Sequence, residues 1–322
     1  MMKEFPIVLA CDDNYIRYTS VTIASIISNA NKNIFYKIFI LSESISEENQ
    51  DYLKKWIKKH KGFSLDFIVL NNLLSDNFYF EGHLNNSAVY YRLYIPKIFK
   101  EYERVLYLDS DVIIDYDISY LATVDFEDNI LCGVTDYVKD YIINDSPKYP
   151  RKYFYDVLKL NNPDKYINSG VTLFNIERIN KLGIADEFIK IIKTIDKPIQ
   201  HDQDLLNCVA GKWDGVKLID SKFNLIKVYQ NDIDISYAFI LKNSLYRLFN
   251  IRNNKNTPFY IYHFLTKAKP WNSSRISKRL FYKYLFSIYL VKPPKKFIKE
   301  ILNDDPYKYP LYWKIFLKYF AA

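Results

Sequence analysis

Cysteine is scarce in this chain: Cys11, Cys132 and Cys208 are the only three among 322 residues. The number is odd and each lies in an apolar context. That excludes a disulfide framework and points to reduced, buried thiols of a cytosolic protein. No uncharged apolar run reaches the roughly 20 residues of a bilayer-spanning helix. The run "FPIVLAC" near the N-terminus is too short for a secretory signal, has no small-residue cleavage site and runs straight into Asp12 and Asp13. Glycine is also rare, with 7 residues against 30 Tyr and 22 Phe. Codon bias in an AT-rich genome explains that skew without any functional cause. Internal repeats and low-complexity linkers are absent.

What remains describes a globular protein. Hydrophobic residues make up 49 % and charged residues 25 %, and the length suits one large domain, or one domain with an appended subdomain. Charge is unevenly placed. Residues 275–322 carry 11 Lys/Arg against 3 Asp/Glu, so this tail holds the whole net charge of +8. The body alternates strand-like runs, "FPIVLAC" (5–11), "FYKIFIL" (35–41), "FSLDFIVL" (63–70), "RVLYLD" (104–109) and "ILCGVT" (130–135), with segments of helical length. "YIRYTSVTIASIISNA" has apolar residues at helical spacing. "SEENQDYLKKWIKKHKG" opens on Ser with acids in its first turn and ends in basic residues and Gly62. Alternating β and α elements predict an α/β fold with a mostly parallel sheet, and ligands then bind beyond the carboxyl ends of the strands. After residue 160 the pattern loosens. Beyond Trp271 two or three helices are predicted, one with apolar residues at 276, 280, 281, 284, 285 and 288.

Two acidic motifs fall at such strand ends: "CDDN" (11–14) and "DSD" (109–111). Side chains two apart on a strand share a face, so Asp109 and Asp111 can aim two carboxylates at one point. Like charges so close suit a hard divalent cation between them, able to bridge a diphosphate. A capped turn or a structural ion pair would use the same residues. So would a phosphatase nucleophile, because "DSDV" also fits the D-x-D-x-[TV] pattern of haloacid-dehalogenase-type enzymes. Against that reading, three strands precede the motif, and the only later Asp-Asp pair, Asp304-Asp305, lies in the basic tail. His263, one of four histidines, sits between apolar neighbours in "YIYHF". It is either a core histidine or a third ligand, and an O/O/N set suits Mn2+ somewhat better than Mg2+. Lys267 and Lys269 follow as cations able to face diphosphate charge.

Six motifs in order, "ACDDNY" (10–15), "YYRLYIP" (90–96), "VLYLDSDV" (105–112), "YINSGVTLFN" (166–175), "HDQDLLN" (201–207) and "HFLTKAKPW" (263–271), make residues 5–271 resemble glycosyltransferase family 8. The resemblance implies a GT-A, Rossmann-like fold with helices on both sheet faces. It also implies a UDP-sugar donor, UDP-galactose or UDP-glucose, a metal ion (Mn2+, with Mg2+ as the alternative), and transfer with retention. It assigns Ala10, Asp12 and Asn14 to uracil and ribose contacts, with Tyr15 stacking near the base. Arg92 would approach the donor sugar and phosphates; Asp109, Asp111 and His263 would hold the metal; Lys269 would bind diphosphate. Asn168 and Asp202 would hold the donor hexose, Gln203 would lie near the β face of the anomeric carbon, and Asp136 would face the acceptor. Two departures stand out: Thr266 replaces a usual Gly, and Ser169 sits where relatives often have Ala. Each motif also has a plainer reading: Asp12 or Asp13 capping a turn, Asp202 and Asp204 as first-turn acids, and Arg92 paired with a surface acid.

Taken together, residues 1–271 are expected to form the catalytic domain and 272–322 a basic, aromatic helical region. The expected activity is transfer of a hexose to a glycan or glycolipid acceptor such as the lipopolysaccharide or lipooligosaccharide core. The alternative is a phosphatase-like or non-catalytic nucleotide binder. The tail suits the anionic inner membrane surface or a helical subdomain packed on the body. Without a recognisable binding motif, nucleic acid is not expected as a partner. The expected location is cytoplasmic, peripheral to the inner face of the membrane.

Overall fold

The computed structural model describes residues 2–70, 78–79, 86–226, 259–265 and 269–271, with Phe281, Tyr284, Leu285 and Ile288. The first half follows the predicted alternation: β1 (Lys3–Ala10), α1 (Ile16–Ser28), β2 (Ile34–Ser42), α2 (Glu47–Ile57) and β3 (Phe63–Val69). A 3-10 segment (Ser87–Tyr94) and α3 (Ile95–Ile98) lead to β4 (Arg104–Leu108), β5 (Val112–Ile114) and β6 (Leu131–Thr135). Then come α4 (Val138–Ile143), β7 (Ile167–Asn175), α5 (Ile176–Leu182), α6 (Glu187–Thr194) and α7 (Asp202–Lys212). Three short strands complete the series: β8 (Val216–Leu218), β9 (Leu225–Ile226) and β10 (Ile261–His263).

Seven strands form the main sheet in the order β3-β2-β1-β4-β7-β6-β8. All neighbours pair parallel except β7, which runs antiparallel to both β4 and β6. Both faces are covered, which explains the uninterrupted apolar runs. Phe5, Ile7 and Leu9 of β1 enter one core cluster and Val8 and Ala10 the other; β4 divides likewise into Leu106 and Leu108 against Val105 and Tyr107. The segment that reads as loose in sequence, 167–175, is a nine-residue strand buried along nearly its whole length. Its polar Asn168, Ser169 and Thr172 break the apolar signature, and tertiary pairing on both edges supplies the order that periodicity does not.

β1 has β2 and β3 on one side and β4 on the other, so strand order reverses between β1 and β4. A crevice opens beyond the carboxyl ends at such a reversal. Asp12 follows β1 there and Asp109 follows β4. A second, three-stranded sheet (β5-β10-β9) lies alongside. In it His263 pairs with Val112 and with Ile226, which brings a residue from late in the chain next to Asp111.

Most of the tail lies outside the described residues. Phe281, Tyr284, Leu285 and Ile288 are helical and buried in the core cluster that also holds α1 and β5. The Tyr284 hydroxyl accepts from Asn29 Nδ2 at 2.8 Å and donates to Asp115 Oδ1 at 2.7 Å, and Tyr52 donates to the Ile288 carbonyl at 3.2 Å. The apolar face predicted over 281–288 is therefore packed on the body. Cys11, Cys132 and Cys208 are buried free thiols. Among the described residues no helix is long and apolar enough to cross a membrane.

Candidate active site

β4 ends at Leu108, one residue earlier than the sequence pattern suggests, although the Asp109 N–H still bonds the Gly170 carbonyl at 2.8 Å. Residues 109–111 therefore form a turn between β4 and β5, not a continued strand. Buried polar groups hold that turn. Ser110 Oγ donates to the Ala10 carbonyl at 3.0 Å, and Thr22 Oγ1 reaches the Ser110 and Val112 carbonyls at 3.1 and 2.8 Å. The Phe264 N–H donates to the Asp111 carbonyl at 3.1 Å.

The result is a cluster of Asp109, Asp111 and His263, each offering one ligand atom, all within 4.8 Å of one another. His263 Nε2 lies 3.4 Å from Asp109 Oδ2 and 3.2 Å from Asp111 Oδ1. Burial alone would lower the imidazole pKa; the two carboxylates override it and raise it to about 9. Burial would raise the Asp111 carboxyl, but the Lys269 and His263 charges hold it below its usual range; Asp109 is held down likewise, mainly by Arg92. Asp111 Oδ1 and His263 Nε2 are buried and face each other, with no hydrogen-bond partner elsewhere, so both are open to a shared ligand. Two carboxylates and an imidazole nitrogen fit a divalent cation. Backbone approach completes the cradle: a Cβ at Gly170 would stand 2.2 Å from His263 Cε1 and 2.5 Å from Asp109 Oδ2. Only glycine leaves room there.

Arg92 is buried, 4 % exposed, and pairs with acids from two elements. Its Nη2 donates to Asp109 Oδ1 at 2.8 Å and its Nε lies 2.9 Å from Asp202 Oδ2. Its Nη1 donates to Ser169 Oγ at 2.7 Å, and its guanidinium carbon sits 4.3 Å above the Tyr107 ring. Tyr107 in turn donates to Asp109 Oδ1 at 3.0 Å. The acid partners of Arg92 are thus interior, not the surface acid of the plainer reading. With one oxygen of Asp109 held by Arg92 and Tyr107, its carboxylate is poorly disposed as a phosphatase-type nucleophile.

Asp202 and Gln203 open α7, beside β7. Asp202 also accepts from Ser169 Oγ at 3.2 Å. Burial pushes its carboxyl up to about 6, with Arg92 opposing the rise. Gln203 Oε1 accepts from the Ser169 N–H and from Asn168 Nδ2, both at 3.1 Å; its Nε2 donates to Asp136 Oδ2 at 3.3 Å and to the Tyr166 hydroxyl at 3.2 Å. Asn168 Nδ2 reaches Asp136 Oδ2 at 2.8 Å. Asp136, Asn168, Asp202 and Gln203 therefore form one buried network continuous with Arg92.

On the β1 side, both carboxylate oxygens of Asp12 are engaged: Oδ1 accepts the Tyr15 N–H at 2.8 Å and Oδ2 accepts from Asn86 Nδ2 at 2.6 Å. The turn-capping reading of this motif is thus part of what Asp12 does. Asp13 turns away and takes the Ser46 N–H and hydroxyl, both at 3.0 Å, so Ser46 does not cap α2 itself. Ala10 is buried at the end of β1 and Asn14 is exposed beside it. The Tyr15 ring meets Tyr18 and Trp271 edge-on at 5.0 and 5.7 Å, and its hydroxyl pKa is raised by burial and then by the Asp111 charge. Lys269 donates to Asp111 Oδ2 and to the Phe264 carbonyl. Thr266 and Lys267 lie outside the described residues.

Sequence reasoning passed over several members of the site. Tyr107 reads as a core aromatic, and Tyr166 and Asp204 as strand and helix residues, yet Tyr166 donates to Asp204 Oδ1 at 2.6 Å directly beneath Gln203. His201 precedes Asp202 with φ at 49° and a buried ring 5.9 Å from that of Tyr79, a backbone conformation rarely adopted outside glycine. Asn224 bonds both His263 and Asn168. Gly170 would have signalled a close approach only had 167–175 been read as a strand.

The chain is similar to general stress protein A of Bacillus subtilis, 24 % identical over 273 residues that cover 83 % of this chain and 87 % of that protein. It is also similar to lipopolysaccharide 1,2-glucosyltransferase of Escherichia coli, 26 % identical over 329 residues that cover 98 % of this chain and 88 % of the relative. Its fold matches the galactosyltransferase LgtC, solved in complex with donor and acceptor sugar analogues, with a TM-score of 0.66 at 22 % identity over 91 % of this chain and 98 % of that one. The expected GT-A arrangement is therefore shown. The model of glycosyl transferase family 8 matches residues 6–275, and the chain belongs to that family.

Proposed function

We propose that this protein is a retaining hexosyltransferase that moves galactose or glucose from a UDP-sugar to a surface-glycan acceptor of the lipopolysaccharide or lipooligosaccharide core type. The observation that carries the reading is the convergence of Asp109, Asp111 and His263, with Lys269 beside them, at the strand-order reversal between β1 and β4. The similarity to a lipopolysaccharide glucosyltransferase over nearly the whole chain supports the acceptor class.

Asp109, Asp111 and His263 would hold the cation, with Mn2+ preferred over Mg2+ by the imidazole nitrogen. When bound there, a divalent cation neutralises the charge of a departing diphosphate. Lys269 adds a second positive charge on the same side. Ala10, Asp12, Asn14 and Tyr15 would meet the uridine at the carboxyl end of β1, and Arg92, Asn168 and Asp202 would meet the hexose. Arg92 ties the carboxylates of Asp109 and Asp202 into one rigid frame. Gln203, a carboxamide, is a poor nucleophile, and its oxygen already accepts two N–H groups. Asp202 Oδ2 is occupied by Arg92 and Ser169. These commitments favour a front-side path, in which the leaving phosphate oxygen takes the acceptor hydroxyl proton as the new glycosidic bond forms, with Asp136 toward the acceptor. A glycosyl adduct trapped on Asp202 or Gln203 and seen by mass spectrometry would overturn that path.

Release of UDP from a panel of nucleotide sugars tests the function. Mn2+-dependent release from UDP-galactose or UDP-glucose is the expected result, and undiminished activity in metal-free buffer refutes the site. Contact with an anionic membrane through the basic tail belongs to the same proposal. The full chain should float with anionic liposomes and a chain ending near residue 290, which keeps the buried Phe281, Tyr284, Leu285 and Ile288, should not; equal flotation of the two removes the membrane role.

A further inference from the structure

Between the cation site and the hexose side runs a line of buried side-chain amides. Asn168 is 4 % exposed, Asn224 2 % and His263 1 %, so water has little access to replace a wrongly turned group. The orientation of the first amide is dictated by groups with a single role. The Gly170 N–H can only donate, and it donates to Asn168 Oδ1 at 3.1 Å. The Asp136 carboxylate can only accept, and it takes Asn168 Nδ2 at 2.8 Å. Asn168 Oδ1 therefore faces Asn224, whose Nδ2 donates to it at 2.9 Å. That turns Asn224 Oδ1 toward His263 Nδ1, 3.1 Å away. An amide oxygen can only accept, so Nδ1 must carry a hydrogen, and Nε2, which faces Asp109 and Asp111, is the nitrogen that gives up its proton when a cation takes the place between them.

We infer that Asn224 is a positioning residue for the cation site, fixing the tautomer and ring orientation of His263 through an amide relay that starts at the Gly170 N–H. The inference rests on the cation site proposed above and deepens it. Metal-binding histidines are generally held by such an outer partner on the second ring nitrogen; here a neutral amide fills the place more often taken by a carboxylate or a carbonyl. The relay has a second consequence. Because Asn168 also bonds Asp136 and Gln203, the groups assigned to the hexose and the imidazole assigned to the cation share one set of hydrogen bonds. Turning any amide over would set donor against donor along the whole line.

The test titrates the full-length chain with Mn2+ alone, following free Mn2+ by electron paramagnetic resonance. Asn224→Leu, close in volume but without an acceptor, is expected to weaken Mn2+ binding by about 10–100-fold. Asn224→Asp, which keeps an oxygen opposite Nδ1, is expected to bind closer to the parent chain than to Asn224→Leu. Equal Mn2+ affinity in parent and Asn224→Leu overturns the inference, as does an equal loss in both variants. A parent chain that binds no Mn2+ takes down the cation site and the inference together. If Asn224→Leu does not fold, nitrogen-15 NMR of histidine-labelled parent chain with Mg2+ decides: a protonated Nδ1 on His263 is expected, and a bare Nδ1 overturns the proposal.

Discussion

The two sides of the main sheet differ in what they bury beside their hydrocarbon. Strands β1, β2 and β3 bury almost nothing but hydrocarbon, with Phe5, Ile7, Leu9, Ile38 and Ile40 all fully covered. Around β7 and α7 the interior is mixed: beside Val171, Leu173, Phe174, Leu205 and Leu206 it buries Asn168, Ser169, Thr172, Asp202, Gln203, Asp204 and Asn207. Apolar burial is non-directional and tolerates exchange, whereas each buried polar group must find a partner or cost stability. The first side therefore supplies stability with few geometric demands. The second holds its side chains in fixed directions, which a site needs.

The sharpest way to break this comparison is Asp111→Asn. Transfer should fall by more than the roughly 100-fold typical of losing an outer partner of a metal ligand, while the chain still folds with a lowered melting temperature, because Lys269 and His263 lose their carboxylate partner. Mn2+-dependent UDP release and a thermal melt check both halves of that outcome. Ile38→Ala on the apolar side should lower stability alone. It should cost about 2–5 kcal/mol in denaturant unfolding and leave Mn2+ affinity intact where the chain is still folded.

A smaller effect should appear with pH. Burial raises the Asp202 carboxyl to about 6, so lowering pH through that value protonates it and removes one of the two negative partners of Arg92. The kcat/KM profile should show an acid limb near pH 6 that Asp202→Asn, although less active, lacks. For stability the sign is opposite. A raised carboxyl pKa favours folding of the protonated form, and that contribution fades as pH rises from the ordinary carboxylate range to about 6. Smallest of all, Tyr284→Phe removes the bonds from Asn29 and to Asp115 and should cost about 1 kcal/mol with transfer unchanged.

The apolar side was legible because its information is local. Runs such as "FYKIFIL" and the charge gradient of "SEENQDYLKKWIKKHKG" state their own conformation, and β2 and α2 differ from the reading by only a few terminal residues. Asp109, Asp111 and His263 were visible as residue types at strand ends, and the order of the six motifs joined them. Asn224 gave no signal at all, since a lone asparagine between Phe223 and Leu225 has no periodicity and its value comes from two partners far away in the chain. The strand at 167–175 was hidden for a related reason: its buried polar residues imitate a loop.

Sequence alone determined the α/β alternation, the acids at the ends of β1 and β4, the free thiols and the basic tail, because hydrophobic periodicity and charge placement act over a few residues. Only the tertiary structure decided that β7 runs against its neighbours, that β5 and β10 pair to carry His263 to Asp111, and that one backbone N–H orients the amides behind that imidazole. Those outcomes depend on contacts between segments separated by up to about 150 positions, which no pattern of hydrophobicity or charge over a few residues encodes.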